Sequence, residues 1–204
     1  MVQQQVTERL VRSDKDLNSN SKTDFALPRI MSSALCMASS PMGHGAQIVV
    51  ATGHQDRTVR LWQTLAEPQP KQTLSGHAGP IYGCSVSSDG HLIASASHDR
   101  TVRVWSPEGR CLAVCLGPNA AARACCFHPT QPALVAAAYH DGTIVIWRAR
   151  EGRRLVTLKS DHVGIRCLAY DPAGRLLAAT ADDGSVTLWD TSGDSLRLVS
   201  AHEA

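Results

Sequence analysis

The sequence predicts an all-β protein, a β-propeller of four four-stranded blades. Three observations carry that expectation. The four tryptophans, Trp62, Trp105, Trp147 and Trp189, follow one another at spacings of 43, 42 and 42 residues, so each sits at one phase of one period. An aspartate stands six residues before each of them: Asp56, Asp99, Asp141 and Asp183. A hydroxyl residue follows each aspartate two places later (Thr58, Thr101, Thr143, Ser185), and alternating residues then lead to the tryptophan, the period of a half-buried strand.

The remaining elements of each period follow in order. Before each aspartate lies an apolar segment of small residues: QIVVATG, HLIASAS, ALVAAAY and RLLAATA. These read as strands packed closely against a neighbour. The Asp-Arg or Asp-Gly pair between this strand and the next is tight-turn chemistry. Further upstream a first strand carries Cys36, Cys84, Cys125 or Cys126, and Cys167, and KQTLS, CLAVCL, RLVTL and LRLVS supply a fourth after each tryptophan. Four antiparallel strands in about 42 residues make one blade. A single blade cannot bury both faces, so blades stack about an axis. The blades fall at about 33–75, 76–117, 118–160 and 161–200, within a domain over 33–204. Residues 1–32 are polar and read as a disordered N-terminal segment.

Composition sets outer limits. The chain has 204 residues, 43% of them apolar, and a net charge of +2 from 20 basic and 18 acidic residues. That balance points to neither a nucleic acid nor a membrane. No apolar run reaches the length of a membrane-spanning helix, and MVQQQVTERLVRSDKD has no apolar core of a secretory signal. Seven cysteines, none in a CxxC pair, read as reduced thiols, which implies an intracellular protein of the cytoplasm or nucleus.

At this point the chain resembles the WD-repeat family over about residues 33–200. Gly76-His77 is similar to the family's Gly-His pair, and Trp189-Asp190 is the literal Trp-Asp dipeptide. The resemblance implies a structural tetrad of histidine, strand hydroxyl, turn aspartate and tryptophan. In the second blade it maps to His77, Ser95 or Ser97, Asp99 and Trp105, with Ser97 taken as the hydroxyl. The other blades depart from the pattern. Pro118-Asn119 and Asp161-His162 stand where Gly-His belongs, the first blade has none in phase, and AAAY lacks the hydroxyl. One complete tetrad and three partial ones are expected.

The run Ser97-His98-Asp99 holds the residue types of a hydrolytic triad, but neighbours on a strand point to opposite faces and do not converge. No GxSxG elbow is present, and the aspartate recurs in every blade while the serine does not. The reading is therefore a structural turn, with no enzyme activity, no cofactor and no metal. His54, His98 and His140 occupy equivalent bends of separate blades, too far apart to share one zinc. The cysteines read as small core residues.

Function in a propeller lives on its loops. The resemblance implies a partner-binding face built from the loops entering each blade and the bends before each aspartate. Here that face carries Gln55, Arg57, Tyr82, His98, Arg100, Arg123, His140, Arg166 and Asp182. Arginine and tyrosine are interface hot-spot types. On the opposite face WRAREGRR offers Arg148, Arg150, Arg153 and Arg154, an alternative surface for phosphates of a nucleic acid or ribonucleoprotein. Some family members are ubiquitin-ligase substrate receptors with a Trp-Asp-x-Arg motif; WQTL, WSPE, WRAR and WDTS do not match it. Four blades are fewer than the family's usual seven, and Ala201-His202 looks like the opening of a further blade. The expectation is a piece or shortened form of a longer propeller, with open blade edges available for self-association. The function expected is a protein-binding scaffold in a multiprotein complex.

Overall fold

The computed structural model describes residues 34–39, 50–62, 70–192 and 197–202. The polar segment assigned to residues 1–32 lies outside them. Among the described residues there are sixteen strands and no helix. The first sheet holds β1 (Ala34–Ser39), β2 (Val50–His54), β3 (Val59–Trp62) and β4 (Gln72–Leu74). The second holds β5 (Ile81–Val86), β6 (Ile93–Ser97), β7 (Thr101–Trp105) and β8 (Cys111–Leu116). The third holds β9 (Ala122–Phe127), β10 (Leu134–Tyr139), β11 (Thr143–Arg148) and β12 (Arg153–Lys159). The fourth holds β13 (Ile165–Tyr170), β14 (Leu176–Ala181), β15 (Val186–Asp190) and β16 (Arg197–His202). Each sheet is an antiparallel meander in chain order, one propeller blade. Ala201 and His202 belong to the outer strand of the fourth blade, opposite Thr187 and Val186.

The Asp-x-hydroxyl signature is the turn between second and third strands. Each aspartate folds back to accept the backbone N–H two residues on: Asp56 from Thr58 (3.1 Å), Asp99 from Thr101 (2.9 Å), Asp141 from Thr143 (3.0 Å) and Asp183 from Ser185 (2.9 Å). The residue between them takes positive φ, 82° at Gly142 and 84° at Gly184, but also 72° at Arg57 and 74° at Arg100.

The core lies between blades. Ala94, Ala96, Val102 and Val104 of the second blade pack on Cys125, Val135, Ala137 and Trp147 of the third. Ala136, Ala138, Ile144 and Ile146 of the third repeat the contact with Leu168, Leu177, Ala179 and Trp189 of the fourth. Ala51, Val59 and Leu61 of the first do the same with Cys84, Ile93 and Trp105 of the second. A strand of small residues thus receives a neighbour's indole. The inner strands come still closer: a Cβ on Gly83 would lie 2.9 Å from Ala124 Cα. The equivalent column on the fourth blade, Ala178, Thr180, Val186 and Leu188, is only half-buried or exposed.

Every inner strand carries a register shift near its start, between Ala34 and Cys36, Ile81 and Gly83, and Ile165 and Cys167; the third falls where Ala124 and Ala122 face consecutive residues of β10. The extra residues are Leu35, Tyr82, Arg123 and Arg166. A bulge of this kind re-aims a side chain at the rim of a sheet.

Candidate functional site

Two constellations emerge, one inside the second blade and one on its loops. Inside, Trp105 Nε1 donates to Ser95 Oγ at 2.9 Å, and Ser95 Oγ lies 2.7 Å from His77 Nε2. His77 Nδ1 lies 2.8 Å from Asp99 Oδ2, which also accepts the Ala78 N–H at 2.9 Å. The donors fix the direction of the chain. The indole can only donate and the Asp99 carboxylate can only accept, so a neutral His77 protonated at Nδ1 leaves Nε2 to take the Ser95 proton while Ser95 accepts from the indole. Nδ1 then carries the ring proton and donates to the carboxylate. A neutral imidazole satisfies every link. Burial holds His77 below the ordinary histidine value despite the opposing pull of Asp99. Burial acts to raise Asp99, but the Thr101 hydroxyl, the Ala78 N–H and His77 outweigh it and hold the carboxyl down to about 2.

The hydroxyl of this tetrad is Ser95, not Ser97. Both face the same side of β6, two residues apart, so alternation does not separate them. Ser97 Oγ instead donates to the Gly79 carbonyl at 2.9 Å and accepts the Asp99 N–H at 3.1 Å. The Ser97-His98-Asp99 run therefore has three separate tasks. Ser97 ties the loop, His98 sits edge-on to Tyr82 at 6.1 Å, and Asp99 holds His77.

The other blades build the same neighbourhood differently. In the first, Trp62 Nε1 donates to Thr52 Oγ1 at 2.9 Å, and His54 Nε2 stands 2.8 Å from that oxygen. In the third, Ala137 replaces the hydroxyl, and Trp147 Nε1 and Tyr139 Oη are buried near each other without a hydrogen bond of normal geometry to any partner in the protein. The Tyr139 ring passes over Gly117, where a Cβ would meet its Cε1 at 2.1 Å. In the fourth, His162 Nδ1 lies 2.9 Å from Asp183 Oδ2. The departures from Gly-His concealed His54 and Tyr139, which enter from the strand. Cys84 and Cys125 are buried, and burial pushes Cys115 up to about 12, none of which favours a thiolate nucleophile.

On the loop face, Arg123 stacks over Tyr82 across the junction of the second and third blades, 4.8 Å from the ring centroid. Arg100 donates to Asn119 Oδ1 over a cleft of about 460 Å³ lined by Gly79, His98, Asp99, Ala120 and Ala121. Tyr82, His98, Arg100 and Arg123 thus come together. Gln55 and Arg57 are exposed at the first blade's turn, and His140 is exposed at the third. Arg166 and Asp182 pair with each other at the fourth. Leu35 and Asn119 belong to this face and were not anticipated. On the opposite face Glu151 pairs with Arg153 at 3.3 Å and Arg148 at 3.8 Å. Arg154 lies over Trp147 and donates to the Leu116 carbonyl, which leaves Arg150 alone unpaired among the described residues of that loop. Among the described residues no group of three His, Cys, Asp or Glu is placed to hold a metal.

Four meander blades with an indole-hydroxyl-imidazole-carboxylate chain define a WD-repeat propeller. The pattern of the WD domain, G-beta repeat matches residues 31–63, 68–106, 109–148 and 152–190, and the chain belongs to this family. It is 37% identical over 86 residues to the Periodic tryptophan protein 2 homolog of Schizosaccharomyces pombe, covering 42% of this chain and 9% of that protein. To Nuclear distribution protein nudF 2 of Penicillium rubens it is 33% identical over 102 residues, 41% of this chain and 22% of that one. To the U4/U6 small nuclear ribonucleoprotein Prp4 of Mus musculus it is 51% identical over 39 residues, covering 19% of this chain and 8% of that protein. The chain thus spans a minor part of the length of these relatives. A chain in a crystal structure of the Mitotic Checkpoint Complex superposes with a TM-score of 0.71 at 23% identity, covering 81% of this chain and 52% of that one, a likeness of fold.

Proposed function

We propose that this chain is a non-enzymatic scaffold that binds other proteins through its loop face, as an intracellular component of a multiprotein complex in the cytoplasm or nucleus. The observation that supports it most is the division of labour among side chains. The tetrad and the alanine columns are consumed by packing, while Tyr82, His98 and Arg123 meet at the loop face and His98 and Arg100 line an open cleft beside them. The relatives' names, a small nuclear ribonucleoprotein and a nuclear distribution protein among them, fit that reading. The nucleic-acid alternative loses support because Glu151 neutralises part of the arginine loop. The ligase-receptor alternative has no matching motif. Self-association through the half-buried column Ala178, Thr180, Val186 and Leu188 belongs to the same proposal, and light scattering on the purified chain tests it.

The main test compares proteins captured from lysate by the wild type, by a Gln55→Ala, His98→Ala, His140→Ala variant, and by a variant with the four loop arginines changed to serine. Captured proteins should be lost with the first variant and retained with the second. The reverse pattern moves function to the arginine loop.

A further inference from the structure

The bulge residues supply the chemistry that the loop-face reading leaves unspecified. In each blade the bulge pairs with the last residues of the second strand, so it sits at the same end as the aspartate turn. The inner strands of successive blades are neighbours, so the four bulges form one row along the inner rim: Leu35, Tyr82, Arg123, Arg166. The stack of Arg123 on Tyr82 shows the row in direct contact across two blades. Leu35 is 47% exposed at one end.

The charges of this face do not balance. Asp56 pairs with Arg60, Asp99 with His77, Asp141 with Lys159, Asp182 with Arg166 and Asp183 with His162. Among the described residues no carboxylate lies within ion-pair distance of Arg57, Arg100 or Arg123. Asp161 stands exposed at the fourth-blade end. Two of these three arginines also hold a positive φ where the third and fourth blades place glycine. A non-glycine residue there is strained, and such strain concentrates at ligand contacts.

We propose that this row, with Arg57 and Arg100 beside it, binds an extended acidic segment of a partner protein. The segment's carboxylates meet Arg100 and Arg123 as planar guanidinium partners, and an apolar residue of the segment covers Leu35 and Tyr82. The inference rests on the loop-face reading and names its partner's chemistry. A nucleic acid fits less well. Arg123 already stacks on Tyr82, with His98 in T-shaped contact beside it, and three guanidiniums without a carboxylate partner fall short of the about six to ten phosphate contacts of a firm nucleic-acid site.

The test is fluorescence anisotropy of the full chain with three labelled probes: a peptide repeating Glu-Leu-Asp-Ser, its Gln-Leu-Asn-Ser counterpart, and a single-stranded oligonucleotide. Saturable binding of the acidic peptide alone is expected, weakening steeply with added salt. Each guanidinium removed, by Arg100→Gln or Arg123→Gln, should raise Kd roughly two- to fivefold. Arg100→Glu together with Arg123→Glu should abolish binding with an unchanged circular dichroism spectrum. The wild-type salt dependence needs no variant and keeps the test open if a variant misfolds. Equal binding of both peptides, no binding of the acidic one, or tighter binding of the oligonucleotide overturns the inference. If the acidic peptide fails while the loop-face variant still loses its captured proteins, the scaffold reading stands and this one falls. If both fail, the loop face is not the binding surface.

Discussion

Replacing Ser95 by alanine removes the middle link of the second blade's chain and isolates both ends. Trp105, 2% exposed, loses the acceptor of its Nε1 proton, and His77, 6% exposed, loses the donor to Nε2. Neither side chain reaches water. A stranded buried polar group costs about 1–3 kcal/mol, so two cost about 2–6 kcal/mol together. The alanine methyl fits the space, so no strain term is added. Ser97→Ala leaves the Gly79 carbonyl and the Asp99 N–H short of one partner, and the chain from Trp105 to Asp99 intact. By the same rule its cost is about 1–3 kcal/mol, carried mainly by the buried Gly79 carbonyl, because the Asp99 N–H lies in a part-exposed turn. For a chain of this size 1 kcal/mol lowers Tm by about 2–4 °C, so Ser95→Ala should lower it by about 4–24 °C. Thermal and urea unfolding followed by circular dichroism measure both variants, with tryptophan fluorescence reporting the exposure of the indole. A Ser95→Ala change below about 0.5 kcal/mol, or a Ser97→Ala cost larger than that of Ser95→Ala, refutes the assignment of the tetrad hydroxyl.

Two further outcomes follow from the same chemistry. Tyr139→Phe deletes a buried hydroxyl that has no hydrogen bond of normal geometry and keeps the ring, so stability should hold or rise by up to about 1 kcal/mol, whereas Gly117→Ala drives a methyl into that ring and should destabilise by about 1–3 kcal/mol; unfolding curves in which Tyr139→Phe is the worse of the two contradict the packing described. Acid should weaken the second blade in two windows. His77 is depressed, so the unfolded chain binds its proton first and stability falls as pH drops below about 6.5; Asp99, held at about 2 against about 3.9 unfolded, adds a second loss between about pH 4 and 2, with a ceiling of about 2.5 kcal/mol. Asp99→Asn should remove the second loss, and an unfolding free energy that is flat from pH 7 to 2 excludes both.

Period and turn chemistry were legible because they are local. The aspartate turns and the alternation toward each tryptophan write themselves into neighbouring residues, and the blade count follows. What the sequence hid depends on contacts between strands. Ser95 and Ser97 share a face of β6, and only the reach of Trp105 and His77 tells them apart. The bulges leave no compositional mark, since Leu35, Tyr82, Arg123 and Arg166 have nothing in common as residue types; only the register shows their equivalence. The pairing of Glu151 with Arg148 and Arg153 was open to a charge count, and it changes a basic cluster into a mostly compensated loop.

The irregular tetrads obey one rule of space. Where the loop before a blade supplies a histidine, the strand position two before the aspartate is small: Ser97 opposite His77, Ala181 opposite His162. Where the loop supplies none, that position carries a ring: His54 in the first blade and Tyr139 in the third. A ring can reach this pocket from the loop or from the strand, but not from both, because the site holds one. His54 keeps the polar chain by standing 2.8 Å from the Thr52 hydroxyl that takes the Trp62 proton. Tyr139 keeps only the volume, next to Ala137, and leaves an indole N–H and a phenol without a hydrogen bond of normal geometry. Filling the space is therefore the first requirement and hydrogen bonding the second. An unfilled pocket of ring size would cost several kcal/mol, against about 1–3 kcal/mol for an unpartnered polar group, and the third blade has taken the smaller loss.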